Sequence, residues 1–112
     1  MNLSEGITAY KNAQYAQAFT LLEPWAHQGN AEAQCMLATM YHLGLGVDRD
    51  GPEAIKWYLK SSQQGYPVAS NNLAGIYFMG DCGVSVDRQE AARWHKLSKA
   101  QGFLQDEQGR NH

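Results

Sequence analysis

"GLGVDRDGPEA", residues 44–54, combines the close-set glycines of a phosphate loop with the Asp-Arg-Asp-Gly run of a calcium loop. Neither reading survives a count of positions. A dinucleotide loop needs glycines at its first, third and sixth positions, so that backbone can approach a pyrophosphate at a helix start. Counted from Gly44, the third position is Gly46 but the sixth is Arg49. The Gly-Lys-Ser/Thr of a Walker loop is missing. An EF-hand with Gly51 at its sixth position would have Gly46 at the first and Trp57 at the twelfth, where carboxylate oxygens are required. What the stretch does supply is a helix stop followed by a helix start. Gly44 and Gly46 suit the positive φ that ends a helix. Asp50 stands three residues before Glu53, the spacing of a capping box, and Pro52 fits a first helical turn, where its missing N–H costs little.

The same punctuation returns in "MGDCGVSVDRQEA", residues 79–91. Ala33, Leu37, Tyr41 and Gly44 recur 36 residues later as Ala69, Leu73, Tyr77 and Gly80. Gly46, Val47, Asp50, Ala54, Trp57, Ser61, Gln64 and Gly65 recur 37 later as Gly83, Val84, Asp87, Ala91, Trp94, Ser98, Gln101 and Gly102. The change of offset places one extra residue between Gly80 and Gly83, inside the loop, so the helix registers on both sides are kept. A looser half-copy precedes them, with Ala18, Gln28 and Gly29 lying 36 residues before Ala54, Gln64 and Gly65. A fixed period in the thirties is the sequence signature of a stacked repeat architecture.

Each unit reads as two antiparallel helices. Over residues 31–43, Ala33, Leu37, Met40 and Tyr41 fall at spacings of three and four, one stripe of a helix. Ala54, Trp57, Tyr58 and Ser61 do the same over residues 51–64. Asp87 repeats the cap of Asp50, three residues before Glu90. The fold expected is all-α, a single domain of about two and a half stacked helix pairs.

The stretches "AQCMLATMYHLGLGVDRDGPEAIKWYLKSSQQG" and "ASNNLAGIYFMGDCGVSVDRQEAARWHKLSKAQG" resemble Sel-one-like repeats, relatives of the tetratricopeptide repeats. The shared pattern is an opening Ala, Leu and Tyr on the first helix, Gly-x-Gly-Val-x-x-Asp in the loop, then Ala, Trp-Tyr and a closing Gln-Gly. The resemblance divides the chain into a tetratricopeptide-like pair at 3–29, repeats at 30–66 and 67–103, and a tail at 104–112. The chain departs from the pattern at His95, where the previous copy has Tyr58, at Ala38, and in the Asp81-Cys82 loop. The resemblance implies a right-handed α-α superhelix whose first helices line a concave face, and a role in protein–protein interaction. It also implies two other possibilities. One is an immunity or regulatory protein that blocks a single toxin or enzyme. The other is β-lactam chemistry, with which some relatives have been linked.

Composition narrows these classes. A chain of 112 residues is long enough to bury roughly two thirds of its unfolded surface. A net charge of −2 with scattered Lys and Arg argues against a nucleic-acid surface. No run of about 18 apolar residues is present, so no membrane span is expected. No basic segment followed by an apolar core opens the chain, so no signal peptide is expected either. The two cysteines, Cys35 in a helix and Cys82 in a loop, are not at equivalent repeat positions. The bridge within each repeat that marks the cysteine-rich branch of the family is therefore missing. A reduced, cytoplasmic chain is expected, with a periplasmic or secreted location as the alternative.

The histidines are His27, His42, His95 and His112. Cys35, Thr39 and His42 share a helix face, but a rise of about 1.5 Å per residue separates Cys35 from His42 by roughly 10 Å. That is too far for a thiol–imidazole dyad or for two ligands of one ion. A β-lactam nucleophile of Ser-x-x-Lys type is missing, because no Lys stands three residues after any Ser. No catalytic residue, cofactor or metal is expected. Trp57 and Trp94 recur at one position and are assigned to packing. The candidate partner-binding residues are those on the first helices that do not repeat: Tyr10, Glu32, Cys35, Thr39, His42, Asn71, Phe78 and Met79, with Ile7, Leu43, Val68 and Gly75 beside them. Apolar groups such as Phe78 and Met79 on that face suit contact with a protein or peptide partner.

The pattern lapses after Gly102, where position 106 is Asp instead of the expected Ala. Phe103 and Leu104 are expected to fold back over the last helix. If they leave it uncovered, solenoid energetics favour self-association. A weak homodimer is therefore expected. Equilibrium sedimentation at high micromolar concentration checks it, and a monomer throughout would count against it.

Overall fold

Helices form where the repeated stripe predicts them. The structure, a computed structural model, describes residues 2–103. Six helices run in order: α1 Leu3–Lys11, α2 Tyr15–His27, α3 Ala31–Leu43, α4 Gly51–Gln63, α5 Pro67–Met79 and α6 Arg88–Ala100. They pack as three antiparallel pairs, α1 with α2, α3 with α4, and α5 with α6, and each pair stacks on the next through α2 with α3 and α4 with α5. No strand occurs among the described residues. The loosely matching first unit is a complete pair. The expected fold-back of Leu104 and the tail lies outside the described residues, while the Phe103 N–H does close onto the Ser98 carbonyl.

The two long loops end and begin helices by the same devices. Gly44 and Gly80 cap α3 and α5 at φ 70° and 71°, the left-handed region that glycine reaches without a Cβ penalty. The Asp50 and Asp87 side chains accept the N–H groups of Glu53 and Glu90. The reciprocal half of the expected capping box is replaced. The Asp50 N–H donates instead to the Tyr41 carbonyl at 2.9 Å, and the Asp87 N–H to that of Tyr77 at 2.8 Å. Each loop is thus pinned back onto the helix it leaves. A reciprocal capping box forms at Asn2 and Glu5, at the start of α1.

The recurring apolar residues of the helix stripes go mainly into packing. Ala18, Ala33, Ala54 and Ala69 are fully buried, letting helices approach closely around Leu22, Leu37, Leu73 and Tyr58. Trp57 is buried, with His27 of the previous pair meeting it edge-on at 5.1 Å. The closing Gln also has a structural task. Gln64 donates from Nε2 to Gln34 Oε1, and Gln34 donates in turn to the Ala26 carbonyl. One repeat on, Gln101 accepts from Ser70 and donates to the Ser62 carbonyl. These chains satisfy buried polar groups at each repeat junction, groups that would be costly if left unpaired.

The loop of residues 44–50 touches its neighbours through bare backbone. A Cβ at Gly46 would stand 2.6 Å from the Tyr15 carbonyl carbon and oxygen at the start of α2. A Cβ at Gly51 would stand 2.7 Å from the Cys82 Cα in the following unit. Gly46 also has φ 75°. Gly46→Ala is therefore expected to cost about 2 kcal/mol or more, through strain and overpacking together. Gly29→Ala, at positive φ but facing open space, is expected to cost about 1 kcal/mol. Urea unfolding of the two variants side by side checks the ordering.

Candidate functional site

The extra residue between Gly80 and Gly83 makes the loop of residues 80–87 reach backward. Cys82 takes φ 56°, rare for a side chain with a Cβ. Its backbone lies against Gly51, and its side chain is buried. The turn presents Asp81 and Cys82 to His42 at the end of α3, so one polar cluster is built from two successive repeats.

His42 Nε2 lies 2.8 Å from Asp81 Oδ2. The other oxygen of the carboxylate, Oδ1, accepts from the Arg49 guanidinium and from the Cys82 N–H at 2.7 Å. Arg49 also donates from Nε to the His42 carbonyl at 2.8 Å, so it ties both members of the pair. On the far side of the imidazole, Nδ1 is 3.3 Å from the Tyr58 hydroxyl, which is 3.0 Å from Thr39 Oγ1. The Thr39 hydroxyl donates to the Cys35 carbonyl. Thr39, Tyr58 and His42 Nδ1 thus form one hydrogen-bonded line, and Nε2 is the nitrogen turned toward Asp81. The ligand-capable atoms of His42, Asp81 and Cys82 all lie within 4.8 Å of one another.

The electrostatics follow from these contacts. The His42 hydrogen bond, the Cys82 N–H and Arg49 together hold the Asp81 carboxyl down to about 2. Burial, and then the Asp81 charge, push the Cys82 thiol up, with Arg49 acting the other way. Burial pushes the Cys35 thiol up to about 12, with Glu32 adding to it, so Cys35 stays a protonated core group.

The candidate residues separate into those that line open space and those that do not. A cavity of about 410 Å³ between α3 and α5 is walled by Thr39, His42, Leu43, Tyr58, Asn71 and Met79, with Asp81 at its edge. A second, of about 410 Å³, lies between α5 and α6 beside Asn71, Phe78, Arg88 and His95. Gly75 borders both, and nothing stands within 4 Å of where its Cβ would be. Arg88 lies over the Phe78 ring at 4.5 Å. Leu43, Phe78 and Met79 are 58%, 49% and 71% exposed. Cys35 is corrected: it is 5% exposed and belongs to the core instead of the groove. Tyr10 packs edge-on against Tyr15 at 5.7 Å, and neither it nor the half-buried Glu32 borders these two cavities. The sequence reading weighed His42 against Cys35 on its own helix and missed Asp81, Cys82, Arg49 and Tyr58. The available signal was the change of offset from 36 to 37, which marks the one loop that departs from the repeat.

Comparison with known proteins agrees with this architecture. The Sel1 repeat family model matches residues 3–30, 31–66 and 67–103. The chain is similar to a Sel1 repeat protein from Oxalobacter formigenes, at 34% identity and a TM-score of 0.80, over 92% of this chain and 46% of that one. It is similar to a protective antigen of uropathogenic Escherichia coli that displays an SLR fold, at 32% identity and a TM-score of 0.80, over 89% of this chain and 22% of the antigen. Over 63 residues it is 38% identical to the ERAD-associated E3 ubiquitin-protein ligase component HRD3A of Arabidopsis thaliana, covering 55% of this chain and 9% of that protein. Over 53 residues it is 38% identical to chitin synthase regulatory factor 3 of Schizosaccharomyces pombe, covering 44% of this chain and 6% of that protein. The chain spans less than half the length of each of these relatives.

Because the Asp81 carboxyl is held below its ordinary value near 4, its stabilising contribution is present above that pH and is lost as pH falls toward about 2. Wild type is therefore expected to be more stable than Asp81→Asn near neutral pH, with the difference vanishing by about pH 2. The Asp81 side chain is 38% exposed, so solvent screening keeps the difference to about 1 kcal/mol or less. Urea midpoints across that range check it.

Proposed function

The chain belongs to the Sel1 repeat family, and from that premise we propose that it is a non-catalytic interaction module whose groove along α3 and α5 binds a protein or peptide partner. One observation carries the reading. The recurring helix residues Ala33, Leu37, Ala54, Trp57, Ala69, Leu73 and Ala91 are buried, whereas Leu43, Asn71, Phe78 and Met79, which change from copy to copy, border the two cavities. The mixture is that of a recognition surface: large exposed apolar side chains, with Asn71, His42 and His95 as polar groups close by. Because the side chains are mounted on packed helices, a partner would meet a preformed surface and little ordering cost would fall on the receptor.

A regulatory role, in which the module binds one particular enzyme or toxin, is the second reading. It is supported by two relatives, one named as a ubiquitin-ligase component and the other as a chitin synthase regulatory factor. Both names describe proteins that serve another protein's activity. The Tyr58 hydroxyl that lines up with His42 and Asp81 is buried, and burial pushes it up, away from a nucleophile's range, so the reading is one of binding.

Phe78→Asp puts a charge on the wall of the α5–α6 cavity, beside the α3–α5 groove, at a site 49% exposed. It is expected to weaken partner capture from a lysate of the source organism at least tenfold, roughly the cost of losing one aromatic anchor. A helical, cooperatively unfolding variant that captures the same partner undiminished would remove this face from the reading.

A further inference from the structure

We infer that His42, Asp81 and Cys82 form a binding site for a divalent transition-metal ion of borderline softness, Zn²⁺ foremost, with a fourth coordination position facing the α3–α5 cavity. The donor set is one imidazole nitrogen, one carboxylate oxygen and one thiolate, the ligand types zinc takes in proteins. It is brought together from two repeats and three non-adjacent stretches of chain, counting the Tyr58 helix that orients the imidazole. The inference does not depend on which partner fills the groove.

Three features of the geometry support it. The first is the setting of the imidazole. The hydrogen-bonded line from His42 Nδ1 through Tyr58 and Thr39 to the Cys35 carbonyl holds the ring and leaves Nε2 turned toward Asp81 as the coordinating atom. Histidine ligands are usually oriented by such a hydrogen bond on their other nitrogen. The second is the setting of the carboxylate. Arg49 and the Cys82 N–H both bind Oδ1, so the guanidinium steadies Asp81 while Oδ2 stays turned toward Nε2. The third is spacing. Ligands of a tetrahedral zinc ion stand about 3.3–3.5 Å apart, given bonds of about 2.0 Å to N and O and 2.3 Å to S. Donor atoms already within 4.8 Å of each other reach that spacing by small side-chain rotations.

Proton balance is simple. His42 coordinates through an unprotonated Nε2 and Cys82 as the thiolate, the displaced protons leaving to the buffer, so imidazole, carboxylate and thiolate balance the charge of a divalent ion. The cavity wall that includes His42 and Asp81 leaves the fourth position to water or to a side chain of a bound molecule.

The test is a Co²⁺ titration of the untagged 112-residue chain, reduced with a phosphine and followed by absorption. Wild type is expected to develop a thiolate-to-cobalt charge-transfer band, with d–d bands of four-coordinate intensity, saturating at one ion per chain. Zn²⁺ should bleach both and raise the melting temperature. Cys82→Ser should abolish the charge-transfer band, whereas Cys35→Ser should retain it. Asp81→Asn and His42→Asn should weaken Co²⁺ binding at least tenfold, and Tyr58→Phe roughly tenfold, as expected for a lost orienting bond. Helicity by circular dichroism is read on every variant. Folded wild type without the band at millimolar Co²⁺ overturns the inference, as does a band that survives Cys82→Ser or disappears with Cys35→Ser. If a ligand variant fails to fold, the wild-type and Cys35→Ser titrations still decide the matter.

Discussion

Backbone contact across repeat boundaries at Gly46 and Gly51 is the constraint on which the rest of the molecule depends. On one side the loop after α3 rests on the start of α2; on the other, the start of α4 rests on Cys82. A side chain at either point would have to occupy space held by main chain, which cannot swing aside as a flexible side chain can. The central loop is therefore held from both neighbours. This is why a stretch that binds nothing by its own ligand count still sets the geometry of the His42–Asp81–Cys82 cluster.

Stacking and recognition divide the side chains between them. A helix pair in a solenoid buries its apolar face only against neighbouring pairs. The alanines, Leu37, Leu73 and Trp57 accordingly sit in the core. The closing Gln serves the same end by polar means: Gln101 donates to the Ser62 carbonyl of the pair before it, and Gln64 acts through Gln34, which donates to the Ala26 carbonyl. Residues committed in this way cannot also meet a partner.

The fold was legible because packing repeats and repetition can be read from sequence. The 36-residue spacing of Ala33 with Ala69 and Leu37 with Leu73 gave the helices α3 and α5, and the Asp50 and Asp87 caps gave the starts of α4 and α6. The cluster was less legible because it joins residues from different copies. His42 and Asp81 are 39 residues apart and meet only because an inserted residue turns the loop back. Cys35 was misplaced for a related reason. Its position along α3 was right, but the burial of that stripe depends on Tyr58, Tyr10 and neighbouring helices, which helical spacing alone does not describe. The departures from the repeat, the Asp81-Cys82 loop and the exchange of Tyr58 for His95, lie where the chemistry gathers.

Equivalent positions in successive copies show how one scaffold can offer two kinds of surface. Thr39, His42, Arg49 and Tyr58 form the polar cluster in one repeat; their counterparts in the next are Gly75, Phe78, Val86 and His95. The substitution of Gly75 for Thr39 removes the hydroxyl that completes the chain to Tyr58 and opens the space shared by both cavities. The substitution of Phe78 for His42 replaces an imidazole with an apolar aromatic ring under Arg88. The backbone frame is preserved while the wall changes from hydrogen-bonding and ligating to apolar and cationic. A bound molecule lying along α3 and α5 would meet these two environments in turn. Its affinity would then depend on matching both at the spacing of one repeat, so discrimination would come from the order of the two walls as much as from either alone.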